Sequence, residues 1–168
     1  MTLDLLHSSH PAKDRAEAMQ LYGQLTGKWQ IDIRYIPVEG AERFASGEWE
    51  FGYALEGRAV IDIWQVPARE VSEQTGKSVE CGLCVRVYDP VLALWKFTFH
   101  GPLYRTTLNM LAYQIGNEIV QEMFVERDIV RWIFHNITPE TFSWKAIRSK
   151  DGGKSWRVEQ IVQASRII

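Results

Sequence analysis

The chain has 168 residues, 46% of them apolar and 24% charged, with a formal net charge of −2 at pH 7. That length suits one hydrophobic core, and the balance is that of a folded globular protein rather than a disordered one. The small charge gives no electrostatic reason to expect nucleic acid or an anionic membrane as partner, and no apolar run approaches the ~20 residues of a membrane helix.

Residues 1–10 carry neither the cationic flank nor the long apolar stretch of a signal peptide and read as a flexible start. Two cysteines make no disulfide framework, so the expected location is the cytoplasm, with reduced thiols. Residues 11–25 read as the one helix. Pro11 suits a first turn, where its missing N–H would be unpaired anyway, and Asp14 and Glu17 sit near the positive end of the helix dipole. Ala18, Leu21, Tyr22 and Leu25 then form a narrow apolar stripe with Met19 beside it, Gly23 weakens the last turn, and Gly27 ends the helix.

After Gly27 the apolar period drops from about 3.6 to about 2 and stays there. Trp29, Ile31, Ile33 and Tyr35 alternate with Gln30, Asp32 and Arg34, the mark of a strand with one buried face. Strands are predicted at 27–37, 43–53, 57–66, 79–88, 93–100, 107–115, 118–126, 129–137, 141–149 and 156–166. Their separators are turn chemistry: Glu39-Gly40, Glu56-Gly57, Asp89-Pro90, Gly116-Asn117, Arg127-Asp128 and Asp151-Gly152-Gly153. Pro67 to Ser78 reads as the longest structureless piece, a candidate mobile loop or lid. Consecutive strands with short turns imply an up-and-down meander, and closure removes its edges; a sandwich would need longer crossovers. The expectation is a single domain over 1–168: a closed antiparallel barrel of about 8–10 strands over 27–168, preceded by one α-helix.

Leu25-Thr26-Gly27-Lys28-Trp29 resembles the Gly-x-Trp signature that opens the first lipocalin strand, where the Trp plugs one end of the barrel beneath an N-terminal helix. The chain is also similar to an uncharacterised bacterial family of lipocalin-like (calycin-type) domains. The carrying stretches are Leu55-Glu56-Gly57-Arg58-Ala59, Arg86-Val87-Tyr88-Asp89-Pro90 with Trp95, Arg131-Trp132 with Phe134, and Phe142-Ser143-Trp144 followed by Ser149 to Trp156. The resemblance implies the barrel and no particular activity; calycin-type barrels mostly hold hydrophobic small molecules, and a minority are enzymes.

Ser149 to Trp156 also resembles the aspartate box of sialidases, but in a single copy, which favours a structural hairpin: Asp151 accepts from the turn amides and Trp156 packs beneath. Cys81-Gly82-Leu83-Cys84 lies in a strand, where positions i and i+3 face opposite ways about 10 Å apart, so neither a disulfide nor shared metal ligation fits. His100 and His135 lie in strands, with no third ligand and no metal-binding spacing, so no metal is expected. His100, before Gly101-Pro102 near a barrel mouth, is the more attractive general base.

Asp62, Arg86, Glu122 and Arg131 are charges in otherwise apolar strands. Asp62 shares its face with Val60 and Trp64, and Arg131 shares its own with Ile129, Ile133 and His135, so for each both directions stay open. The leading expectation is a binding barrel, walled by Trp29, Tyr35, Trp49, Phe51, Trp95 and Trp144. In it Asp62, Arg86, His100, Arg131 and His135 orient a small apolar or aromatic ligand. The alternative is a cofactor-independent isomerase, cyclase, hydratase or lyase with His100, Asp62 or Arg131 as acid, base or oxyanion stabiliser. A third is a structural barrel whose aromatics fill the core. No cofactor is expected, and a homodimer is compatible with all three.

Overall fold

The computed structural model describes residues 6–168; the first five positions of the expected flexible start lie outside them. The chain begins with a short strand β1 (His7–Ser8), then α1 (Ala16–Gly23), β2 (Gly27–Tyr35), β3 (Arg43–Ala54), β4 (Ala59–Val66) and α2 (Arg69–Thr75). There follow β5 (Glu80–Asp89), β6 (Leu94–Gly101), β7 (Thr106–Ile115), β8 (Glu118–Val125), β9 (Asp128–His135), β10 (Thr141–Ser149) and β11 (Arg157–Arg166). All ten expected strands form, each within two residues of its expected bounds. Each of β2–β11 pairs antiparallel with its neighbours in the chain and β11 pairs with β2, so the sheet is a closed ten-stranded up-and-down barrel. Closure leaves no unpaired edge. Among the described residues, no helix is long and apolar enough to cross a membrane.

The alternation read from the sequence sets the wall. In β2, Trp29, Ile31 and Ile33 are buried while Lys28, Gln30, Asp32 and Arg34 are exposed. α1 lies across one end, burying Met19 and Tyr22, with Leu25 buried just beyond it. There Trp29 donates its indole N–H to the Leu25 carbonyl at 2.7 Å, and the Arg166 guanidinium stacks 4.1 Å from the Trp29 ring centre. Arg166 also donates to the Thr26 carbonyl at 2.7 Å, tying the last strand to the helix exit.

Three expectations need correction. The helix is shorter than 11–25: Ala12 is extended (φ −60°, ψ 132°) and Lys13–Arg15 is a 3-10 turn. The physical reason is that the Ala12 N–H is drawn to the Gly57 carbonyl at 3.0 Å, in the β3–β4 turn. Residues 7–8 of the expected flexible start pair with Tyr53 and Ala54 at the end of β3. The segment 67–78 is not structureless, since it carries α2, ended by Gly76 at φ +64°. The Gln65 amide donates to the hydroxyls of Ser72 and Ser78, at 3.0 and 3.2 Å, and pins this segment to β4.

A second apolar cluster sits on the outside of the barrel, where Val120, Ile133 and Ile147 are buried under Tyr113, Val158 and Trp156. Trp156 comes from the β10–β11 hairpin. There the Asp151 carboxylate accepts from the backbone N–H groups of Lys154 (3.0 Å) and Ser155 (2.9 Å) and from the hydroxyls of Ser149 (2.8 Å) and Ser155 (2.6 Å). These bonds, that from the Ser155 hydroxyl foremost, hold the Asp151 carboxyl down to about 2.

Candidate functional site

β4 and β5 lie side by side, with Val60 opposite Arg86 and Asp62 opposite Cys84. Their inward residues therefore meet in the barrel. Asp62 and Arg86 form an ion pair whose side chains are 0% and 1% exposed. Trp49 donates its indole N–H to the other Asp62 oxygen at 2.6 Å. Arg86 Nε donates to Gln121 Oε1 at 3.0 Å, and the Tyr22 hydroxyl donates to the same oxygen at 3.0 Å. The guanidinium lies 4.8 Å from the ring centres of both Tyr22 and Phe97. Burial works against the Arg86 charge, but Asp62 outweighs it, and the guanidinium stays firmly protonated. Burial also pushes the Tyr22 phenol above its ordinary range, and burial together with Asp62 pushes the Cys84 thiol well up. The network is therefore one compensated ion pair among neutral groups.

Between this network and the end of the barrel opposite α1 lies a cavity of about 260 Å³. Its walls are the rings of Trp49, Trp64, Phe99, Trp132 and Trp144 with Leu108, and its floor is Asp62, Arg86 and Gln121. The outer edge of the Phe99 ring lies against two glycines: a Cβ on Gly82 would stand 2.4 Å from the ring and one on Gly101 2.9 Å. Among the described residues, two buried donors have no partner, Gln121 Nε2 and Trp144 Nε1, and both residues line the cavity. At the mouth, the Glu80 carboxylate accepts from the Tyr35 hydroxyl at 2.8 Å and from the Trp64 indole N–H. Burial, then the Glu80 hydrogen bond and charge, raise the Tyr35 phenol. Tyr104, in the 3-10 turn Pro102–Tyr104, completes the rim.

Of the residues singled out in the sequence, Trp49, Asp62, Arg86 and Trp144 line this cavity, and Tyr35 holds its mouth through Glu80. Trp95, like Trp29 and Phe51, points inward at the helix-covered end, where its ring meets Tyr22 at 5.0 Å. His100, Arg131 and His135 do not join them, because the strand register turns all three outward. Phe134 pairs with Trp144 inside, so its neighbours His135 and Ile133 face out, and so does Arg131. Arg131 donates to the Glu122 carboxylate at 2.6 Å and stacks 4.6 Å from the Trp156 ring centre. His135 is half-buried on that outer face, its imidazole pKa lowered by burial and by Lys145. His100 is exposed.

The three acid–base candidates are therefore split, Asp62 inside and His100 and Arg131 outside. Cys81 and Cys84 are free thiols on opposite faces. Among the described residues, no three His, Cys, Asp or Glu side chains come together as metal ligands. Sequence reasoning missed Trp64, Glu80, Phe99, Trp132 and above all Gln121. Parity was the available signal for two of them: Trp64 shares a face with Asp62, and Glu80 with Arg86.

No family model and no curated protein matches the chain in sequence. Its fold is similar to that of two solved structures. One is the S-type phycobiliprotein lyase CPES from Guillardia theta, with a TM-score of 0.62 at 10% identity, over 94% of this chain and 99% of that one. The other is Rv2717c from M. tuberculosis, with a TM-score of 0.62 at 13% identity, over 91% of this chain and 99% of that one. At such identities the likeness is one of architecture, a calycin-like barrel.

Proposed function

We propose that the barrel binds one small, largely apolar or aromatic molecule in the cavity between the Asp62–Arg86 pair and the mouth. The observation that carries this reading is the pair of unpartnered donors, Gln121 Nε2 and Trp144 Nε1, buried at a cavity otherwise walled by rings. Leaving a buried donor unmade costs roughly 1–3 kcal/mol, and a ligand acceptor that reached either one would offset that cost. The volume, about 260 Å³, sits just under the usual range of about 300–1,000 Å³ for small-molecule sites. It suits a body of two or three fused or linked rings. The binding architecture of other calycin-type barrels supports the same reading. Acid–base chemistry is less well supported, because His100, His135 and Arg131 face away from the cavity and Asp62 is engaged by Arg86 and Trp49.

N-phenyl-1-naphthylamine, a neutral dye that brightens in apolar sites, tests the reading. The expected result is saturable one-to-one brightening that is lost in Leu108→Trp, which fills the cavity from one wall without touching the polar network. Equal brightening in that variant, with its β-sheet circular dichroism intact, would move the binding site elsewhere. No brightening in the parent chain counts against a ligand cavity.

A further inference from the structure

We infer that the cavity selects its ligand by charge and takes an organic amine in its ammonium form, held at Glu80. The inference deepens the binding reading above and rests on it.

Three ionisable side chains that carry charge line the cavity: Asp62, Arg86 and Glu80. The first two cancel each other in a pair with no exposure to solvent. The Cys84 thiol beside them is held neutral by burial. Glu80 is left over. Among the described residues it has no ion-pair partner; Tyr35 and Trp64 donate to it, one on each oxygen, and the Tyr104 phenol lies close by. A carboxylate offers about four acceptor sites, so each oxygen still has one to give. Arg43 stacks over the Tyr35 ring at 5.4 Å and its charge is felt at the Tyr35 and Tyr104 phenols, but it is exposed and makes no ion pair with Glu80.

The walls reinforce the same sign. Rings attract a cation over their faces, and beside Glu80 the cavity is bounded by Trp64, Trp132, Trp144, Phe99 and Tyr104. An anion entering here would meet Glu80 at the mouth and find the Arg86 charge already neutralised by Asp62. An ammonium would meet one uncompensated carboxylate and a ring-lined wall. At the deep end, the lining residues Gln121 and Trp144 each carry a buried N–H without a hydrogen-bond partner among the described residues. The ligand class is therefore a compact aromatic or alicyclic amine, with the charged nitrogen toward the mouth and a carbonyl, ether or hydroxyl oxygen toward the floor.

The test is displacement of N-phenyl-1-naphthylamine at pH 7 by three molecules sharing one ring system: tryptamine (cation), tryptophol (neutral) and indole-3-acetate (anion). In the parent chain tryptamine should compete about tenfold better than tryptophol, and indole-3-acetate should be the weakest. In Glu80→Gln, which keeps an acceptor for Tyr35 or Trp64, the roughly tenfold advantage of tryptamine over tryptophol should fall to about one. The inference is overturned, with the binding reading intact, if tryptophol or indole-3-acetate displaces the dye as well as tryptamine does. It is overturned equally if Glu80→Gln leaves the tryptamine advantage unchanged. Should that variant not fold, the order in the parent chain decides. A parent chain that never takes up the dye overturns the binding reading and this one together.

Discussion

Asp62→Asn isolates what the buried pair does. The substitution keeps the shape and an oxygen for the Trp49 indole, now 2.6 Å from Asp62, and removes only the negative charge. Arg86 is then a guanidinium with 1% of its side chain exposed and no counter-charge. Removing one partner of such a pair costs roughly 3–5 kcal/mol. Two rings at 4.8 Å, those of Tyr22 and Phe97, offset part of it, at about 0.5–2 kcal/mol each. The lower end, about 3 kcal/mol, is therefore expected. With a urea slope near 2 kcal/mol/M, the unfolding midpoint should fall by about 1.5 M. The double variant Asp62→Leu with Arg86→Met removes both charges and keeps the volume. It loses the Trp49 hydrogen bond, worth roughly 1–3 kcal/mol as an unmade donor, but strands no ion, so it should be no less stable than Asp62→Asn. The assay is urea unfolding followed by tryptophan emission and circular dichroism, parent against Asp62→Asn, the double variant and its two singles, Asp62→Leu and Arg86→Met. A loss below about 1 kcal/mol in Asp62→Asn would refute the claim of an uncompensated buried charge. So would a double variant that loses the sum of its single substitutions, because independent sites add and a coupled pair does not.

Arg131→Ala should leave dye binding unchanged and cost at most about 1.5 kcal/mol, the sum of a partly buried ion pair and a stacked ring; loss of dye binding would put Arg131 back in the site. Asp151 titrates at about 2, below the ~3.9 of an unfolded chain. Its contribution is therefore full above pH 4 and disappears as pH falls from about 4 to about 2. The stability gap between parent and Asp151→Asn should shrink between pH 5 and pH 2.5, and a gap constant with pH would contradict this. Gly82→Ala places a Cβ where the Phe99 ring now lies, 2.4 Å away. It should cost about 1–3 kcal/mol and weaken dye uptake, both read in the assays above. Cys84, buried and with its thiol pushed well up, should resist an aqueous disulfide reagent until the chain unfolds, so labelling of the folded protein should stop at one thiol.

How much of this was legible depends on where one face of a strand is dry and the other wet. In β2 the alternation is clean, and the sequence alone placed Trp29, Ile31, Ile33 and Tyr35 on the inner side. In β8–β10 it is not, because Val120, Ile133 and Ile147 are buried on the outside beneath Trp156. A strand apolar on both faces carries no parity signal. That is why Arg131, flanked on its own face by Ile129 and Ile133, read equally well both ways. A register shift in β10–β11 between Ala146 and Ile147 blurs the parity further. α2 was illegible for another reason. It is a seven-residue helix that buries none of its residues, so no apolar stripe marks it, and only the Gly76 stop was there to read.

Asp62 and Arg86 mark the layer at which the interior changes character. On the α1 side of that layer the rings pack edge to face, Tyr22 against Trp95 and Phe134, Phe142 against Trp29 and Phe51, and Phe51 against Phe134. On the other side the walls carry rings of the same size, yet a cavity of about 260 Å³ remains. Two glycines make the difference in part, since Gly82 and Gly101 let Phe99 lie against the wall instead of standing into the lumen. Packed rings and a ring-walled cavity therefore occur in the same barrel. Each occupies one half of the barrel, and the polar layer between them keeps the cavity polar-floored: Tyr22, reaching down from the helix, closes the network from the packed side. Its partner Gln121 lines the cavity on the other side, with an amide nitrogen that has no hydrogen-bond partner among the described residues.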